Sequence, residues 1–136
     1  MSRVINTATA GKERNRLVKG LAIAIRELFT LSEIDDNSLD IAAFIALSLD
    51  AIDNTIEPTV VPWEKRDYWV KADRFRYEWS WAGKYSGQMR QAVTTEDWEK
   101  IGEVAIKIAE KISKVKISPR HRMGTPWVGA WDELTS

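Results

Sequence analysis

Between Leu39 and Ile52 the chain is almost wholly apolar: Leu39, Ile41, Ala42, Ala43, Phe44, Ile45, Ala46, Leu47, Leu49, Ala51 and Ile52, interrupted only by Asp40, Ser48 and Asp50. Wound into a helix, these residues go round the whole circumference and leave almost no polar face. A helix that is apolar on every side has to be enclosed by other helices or by a subunit interface. The run is too short and too interrupted to cross a bilayer, which takes about 20 apolar residues. It is therefore expected to be the central helix of a bundle. It should begin after an N-cap at Asn37 or Ser38 and reach about Ile56, where Pro58 stops it. Phe44 and Ile45 are expected to be almost fully buried.

The flanking segments supply the enclosure. A first helix is predicted from about Thr9 to Leu31, with Leu17, Val18, Leu21, Ala22, Ile25, Leu28 and Phe29 at three-and-four spacing. A third starts near Pro62, a residue suited to the first helical position, and runs to at least Ala82, with Gly83 and Gly87 leaving its end open. In a fourth, Thr94 caps with Asp97 three residues on, and Trp98, Ile101, Val104, Ala105, Ile108, Ala109 and Ile112 form one stripe. The chain has 136 residues, the size of one domain. The pattern predicts an all-α antiparallel four-helix bundle over residues 1–113, with residues 114–136 as an ordered irregular C-terminal extension. That extension carries Trp127, Val128, Trp131 and Leu134. Water is a poor environment for such a group, so it should fold back onto the bundle.

Twenty basic and twenty acidic side chains cancel. That argues against nucleic acid as a partner, whose proteins present a basic footprint; the remaining route to it would be the third helix and the basic tail residues Lys114, Lys116, Arg120 and Arg122. There is no cysteine, which excludes disulfides, thiolate catalysis and cysteine-ligated metals. The first 17 residues lack the apolar run of a secretory leader, so a cytoplasmic protein without a membrane span is expected. His121 stands alone and cannot build a metal site. No glycine-rich phosphate loop is present and no cofactor is expected.

The functional question centres on residues 61–85, VPWEKRDYWVKADRFRYEWSWAGKY. On a helical wheel Tyr68, Ala72, Phe75, Trp79 and Ala82 share one face, and Trp63, Val70, Tyr77 and Trp81 the opposite one, with charges between. One stripe serves the core. The other is either covered by the C-terminal segment or free for a partner. Aromatic residues and arginine are enriched in interface cores, so Trp63, Arg66, Trp69, Arg74, Tyr77 and Trp81 are the expected contact residues of a self-associating or protein-binding module. The competing reading is a small-molecule-binding protein or Mg-dependent hydrolase. Asp50, Asp53 and Glu57 lie on one helical face with Asn54 and could supply oxygen ligands. Ion pairing of these acids with Lys65 or Arg66 is the simpler expectation, and a homo-oligomer is the expected state.

Overall fold

The computed structural model describes residues 7–118 and 121–136. Six helices account for most of them, and no strand occurs among the described residues: α1 (Thr7–Thr30), α2 (Asp36–Asp53), α3 (Ile56–Glu64), α4 (Trp69–Thr94), α5 (Trp98–Lys111) and α6 (Ala130–Thr135). Arg120 of the basic tail lies outside the described residues.

Helix α2 starts earlier than the capping signals suggest. Asp35, not Asn37 or Ser38, is the cap: its carboxylate accepts from the Ser38 backbone N–H at 2.9 Å, and the Ser38 hydroxyl accepts from the Asp35 N–H at 3.1 Å. This reciprocal box satisfies two donors that a helix start leaves open. The apolar run then does what its pattern requires. Ile41, Ala42, Ala43, Ile45, Ala46, Leu49 and Ile52 are completely buried, with α1, α4 and α6 packed around them. Phe44 departs from expectation and is only half-buried. It lies over Gly20 on the α1–α2 seam, its ring at ordinary contact distance from where a Cβ would stand, with only the Met123 methyl, at 3.3 Å, closer than that.

Helices α1, α2, α4 and α5 close a ring, each packed on the next and α5 returning to α1. Pairs of contacts fix their directions. Gly20 faces Phe44 while Arg14 faces Thr55; Asp53 faces Gly83 while Ala46 faces Ser86. α1, α2 and α4 thus run antiparallel in turn, while the C-terminal end of α5 lies against the C-terminal half of α1, where the Arg26 guanidinium donates to the Val115 carbonyl at 2.8 Å. The centre is a continuous apolar cluster that includes Leu21, Leu49, Met89, Val104 and Ile108. No helix among the described residues is long and apolar enough to cross a membrane.

The short stretch between the expected second and third helices is itself helical. The ring of Pro58 cannot sit against the carbonyl four residues back, that of Asn54, so α2 breaks at Asn54–Thr55. Pro58 then falls in the first turn of α3, where no backbone N–H is needed. Residues 62–94 accordingly form the end of α3, a turn and α4, rather than one helix. The turn is made by the Tyr68 N–H donating to the Trp63 carbonyl at 2.9 Å and the Asp67 N–H to Glu64 at 3.0 Å, with Asp67 left-handed at φ 66°. The same pair of bonds closes α4, where Glu96 has φ 51°. Asp97, rather than Thr94, caps α5 through the Lys100 N–H.

The C-terminal segment returns to α2, not to the aromatic stripe on α4. Trp127 is buried and its indole N–H donates to Asn37 Oδ1 at 3.2 Å. Asp40, the polar interruption near the start of the apolar run, accepts from the backbone N–H groups of Gly129 and Trp131 at 3.2 and 2.9 Å. Its carboxylate thus sits at the N-terminus of α6, where negative charge is favoured.

Candidate functional site

Two lengths create the site. α4 has 26 residues and α2 has 18, about 39 and 27 Å at the helical rise. Asp53, the last residue of α2, abuts α4 at Gly83: a Cβ there would lie 2.9 Å from the Asp53 carboxylate. Everything in α4 before Gly83 therefore runs past the end of α2. This overhang has to find other partners, and it finds them on one side only.

The covered side is built by α3 and the N-terminal half of α1. Trp63 of α3 meets Phe75 edge-on with centroids 5.3 Å apart, Phe75 leans on Trp79 at 6.2 Å, and Trp79 stacks with Trp81 at 5.7 Å. Two cations sit on this ladder. The Lys71 ammonium is 4.2 Å from the Trp63 centroid. The Arg14 guanidinium is 4.7 Å from Phe75 and 5.3 Å from Trp79, contacts that favour a cation over a ring face. Arg14 is buried with no ion-pair partner among the described residues, and burial pulls its pKa below the ordinary arginine value. Its Nη1 donates to the hydroxyls of Thr59 and Thr55 at 3.0 and 3.3 Å. Those hydroxyls in turn donate to the carbonyls of Thr55 and Ile52, so the charge is relayed to the electronegative C-terminal end of α2. Arg14 precedes Leu17, Val18 and Leu21 by three, four and seven residues, which puts it on the apolar stripe of α1; that spacing is the signal in the sequence that marks it as buried.

A second clamp joins α3 to α4, and it corrects the expected pairing. The acids beyond α2 do not engage Lys65 or Arg66, both exposed. Glu57 and Glu64 both grip Arg76, at 2.9 Å on both branches of the fork for Glu57 and 2.8 and 3.0 Å for Glu64. These bonds hold both carboxylates below the ordinary glutamate value and raise Arg76. Asp53 moves the other way, raised by burial and by the charges of Asp50 and Glu57. The arrangement does not bring Asp50, Asp53 and Glu57 into one cation site: Glu57 is turned to Arg76, and no cluster of acids or histidines able to hold a metal occurs among the described residues.

The clamp predicts a pH dependence. A carboxylate whose folded pKa is depressed stabilises above its unfolded value, here 4.5, and that stabilisation is lost as pH falls through the lower folded value. Asp53 has the opposite sign and is relieved by protonation. Arg76→Met is therefore expected to melt lower than the parent chain at neutral pH. The gap should narrow as thermal scans move below pH 4.5. A gap that stays constant into acid would remove the clamp from the stability of the α3–α4 corner.

The outer side of the overhang has no cover. Tyr77 is 83% exposed, Val70 69%, Trp69 54% and Tyr68 52%. Tyr68 is thereby parted from Ala72, Phe75, Trp79 and Ala82, whose face the wheel gave it and which are buried or half-buried. Of the expected contact residues, Trp69, Arg74 and Tyr77 face outward with Arg66 at the turn, whereas Trp63 and Trp81 are half-buried in the ladder. A shallow groove at the corner is lined by Asp67, Tyr68, Trp69, Val70 and Lys71. No family model, curated protein or solved structure matches the chain.

Proposed function

We propose that this chain is a self-associating interaction module that docks through the outward face of the α4 overhang. The observation that carries this reading is the group of uncovered side chains, Trp69, Val70 and Tyr77 on α4 with Tyr68 at its N-cap, on a helix whose opposite side is fixed rigidly by two clamps. Grouped apolar exposure of this kind marks interaction sites, whereas isolated exposed residues do not. The rigid backing matters because a preorganised face loses little conformational freedom on binding. Sedimentation equilibrium at tens of micromolar is expected to return a particle heavier than 15.5 kDa. Tyr77→Asp should shift it to the monomer while leaving the melting temperature unchanged at concentrations too low for the parent to associate, since Tyr77 touches little of its own chain. A parent chain that sediments at 15.5 kDa would sink the reading.

A further inference from the structure

The outward stripe of α4 has a property that a random docking face would lack: it is complementary to itself when reversed. Val70, Asp73, Arg74 and Tyr77 fall at i, i+3, i+4 and i+7 on one helical face. All four are exposed. Asp73 and Arg74 sit at the middle of the stripe, and Val70 and Tyr77 lie three residues out on either side. A two-fold axis through the midpoint of Asp73 and Arg74 sets Asp73 of one copy against Arg74 of the other, twice. The same operation sets Val70 against Tyr77, twice. Every opposed pair on the stripe is then favourable, two of opposite charge and two apolar.

Neither charge is strongly committed elsewhere. Arg74 has no ion-pair partner among the described residues. Among the described residues Asp73 reaches only Arg76, at 3.5 Å and with its side chain 77% exposed, and Arg76 is already held by Glu57 and Glu64. The like charges that the two-fold would otherwise oppose are turned away from the stripe: Lys71 lies on the Trp63 ring and Arg76 is folded into α3. A parallel pairing would put Asp73 on Asp73 and Arg74 on Arg74, which like-charge repulsion disfavours. We infer that the partner of the α4 overhang is a second copy of this chain, crossing antiparallel about the Asp73–Arg74 midpoint with Asp73–Arg74 ion pairs across the axis. This rests on the α4 reading above and supplies its geometry, an isologous two-fold contact.

Charge reversal in the full chain tests it by sedimentation equilibrium. Asp73→Arg alone sets arginine against arginine, and Arg74→Asp alone sets aspartate against aspartate. Each is expected to weaken self-association by about tenfold or more. Mixing the two variants in equal amounts restores both pairs, one with the parental polarity and one reversed, and should recover association to within about threefold of the parent. The double variant Asp73→Arg/Arg74→Asp should do the same by itself. Both positions are exposed, so circular dichroism should stay parental, as should the melting temperature at concentrations too low for the parent to associate. If the parent associates and the single variants associate equally well, the antiparallel crossing is wrong, while sensitivity to Tyr77→Asp would leave the α4 reading standing. Single variants that weaken association without recovery on mixing also overturn the crossing. A parent chain that remains at 15.5 kDa overturns both.

Discussion

Leu49→Ala is expected to lower the unfolding free energy by about 3 kcal/mol, within the range found for leucine truncation in closed cores. Leu49 is completely buried in the part of α2 enclosed between α1 and α4. The lost methyl groups forfeit their transfer energy, and the surrounding helices cannot collapse into the gap, since both are held by further contacts along their length. Phe44 offers the contrast. Its ring is half-buried at the edge of the seam, against Gly20 and beside the flexible Met123 side chain. Phe44→Ala should therefore cost less per atom removed than Leu49→Ala. Urea unfolding of the two variants measures this directly. A Leu49→Ala loss below about 1 kcal/mol would mean that α2 is not enclosed on all sides.

Deleting residues 124–136 is expected to be at least as damaging. Trp127, Ala130 and Leu134 are buried against the bundle, and truncating a buried tryptophan alone costs about 3–5 kcal/mol. The deletion also strips cover from one flank of α2 and leaves Asp40 and Asn37 without the backbone and indole donors they now receive. A marginal total stability of about 5–15 kcal/mol leaves little reserve against such a loss. Thermal unfolding should show a sharp drop, with increased binding of an apolar dye at neutral pH. Trp127→Ala in the full chain should reproduce much of the drop without removing Asp40's partners. Truncated protein that melts with the parent would show that the segment contributes no net stability.

The tail also shows why its destination was hard to read. Its composition calls for burial, and burial is what Trp127 obtains. Composition carries no address, however. The address is given by two polar groups on α2, Asn37 and Asp40, that match donors ninety residues away. In the sequence Asp40 reads only as an interruption of an apolar run.

The amino-acid sequence by itself determined the helices of the ring and the central place of α2, because apolar periodicity is a local property that one turn imposes on the next. It also determined that α2 must break near Pro58, through a clash four residues back. Tertiary structure alone decided which glutamates meet which arginine, since Glu57, Glu64 and Arg76 come together only after α3 folds back against α4. It alone decided which half of the aromatic stretch is left in water. A helical wheel shows that residues 69–82 have two apolar sides but not that α2 ends opposite Gly83. The register between those two helices is set by close packing over their shared length. The uncovered face of Val70, Asp73, Arg74 and Tyr77 is what remains where that shared length stops.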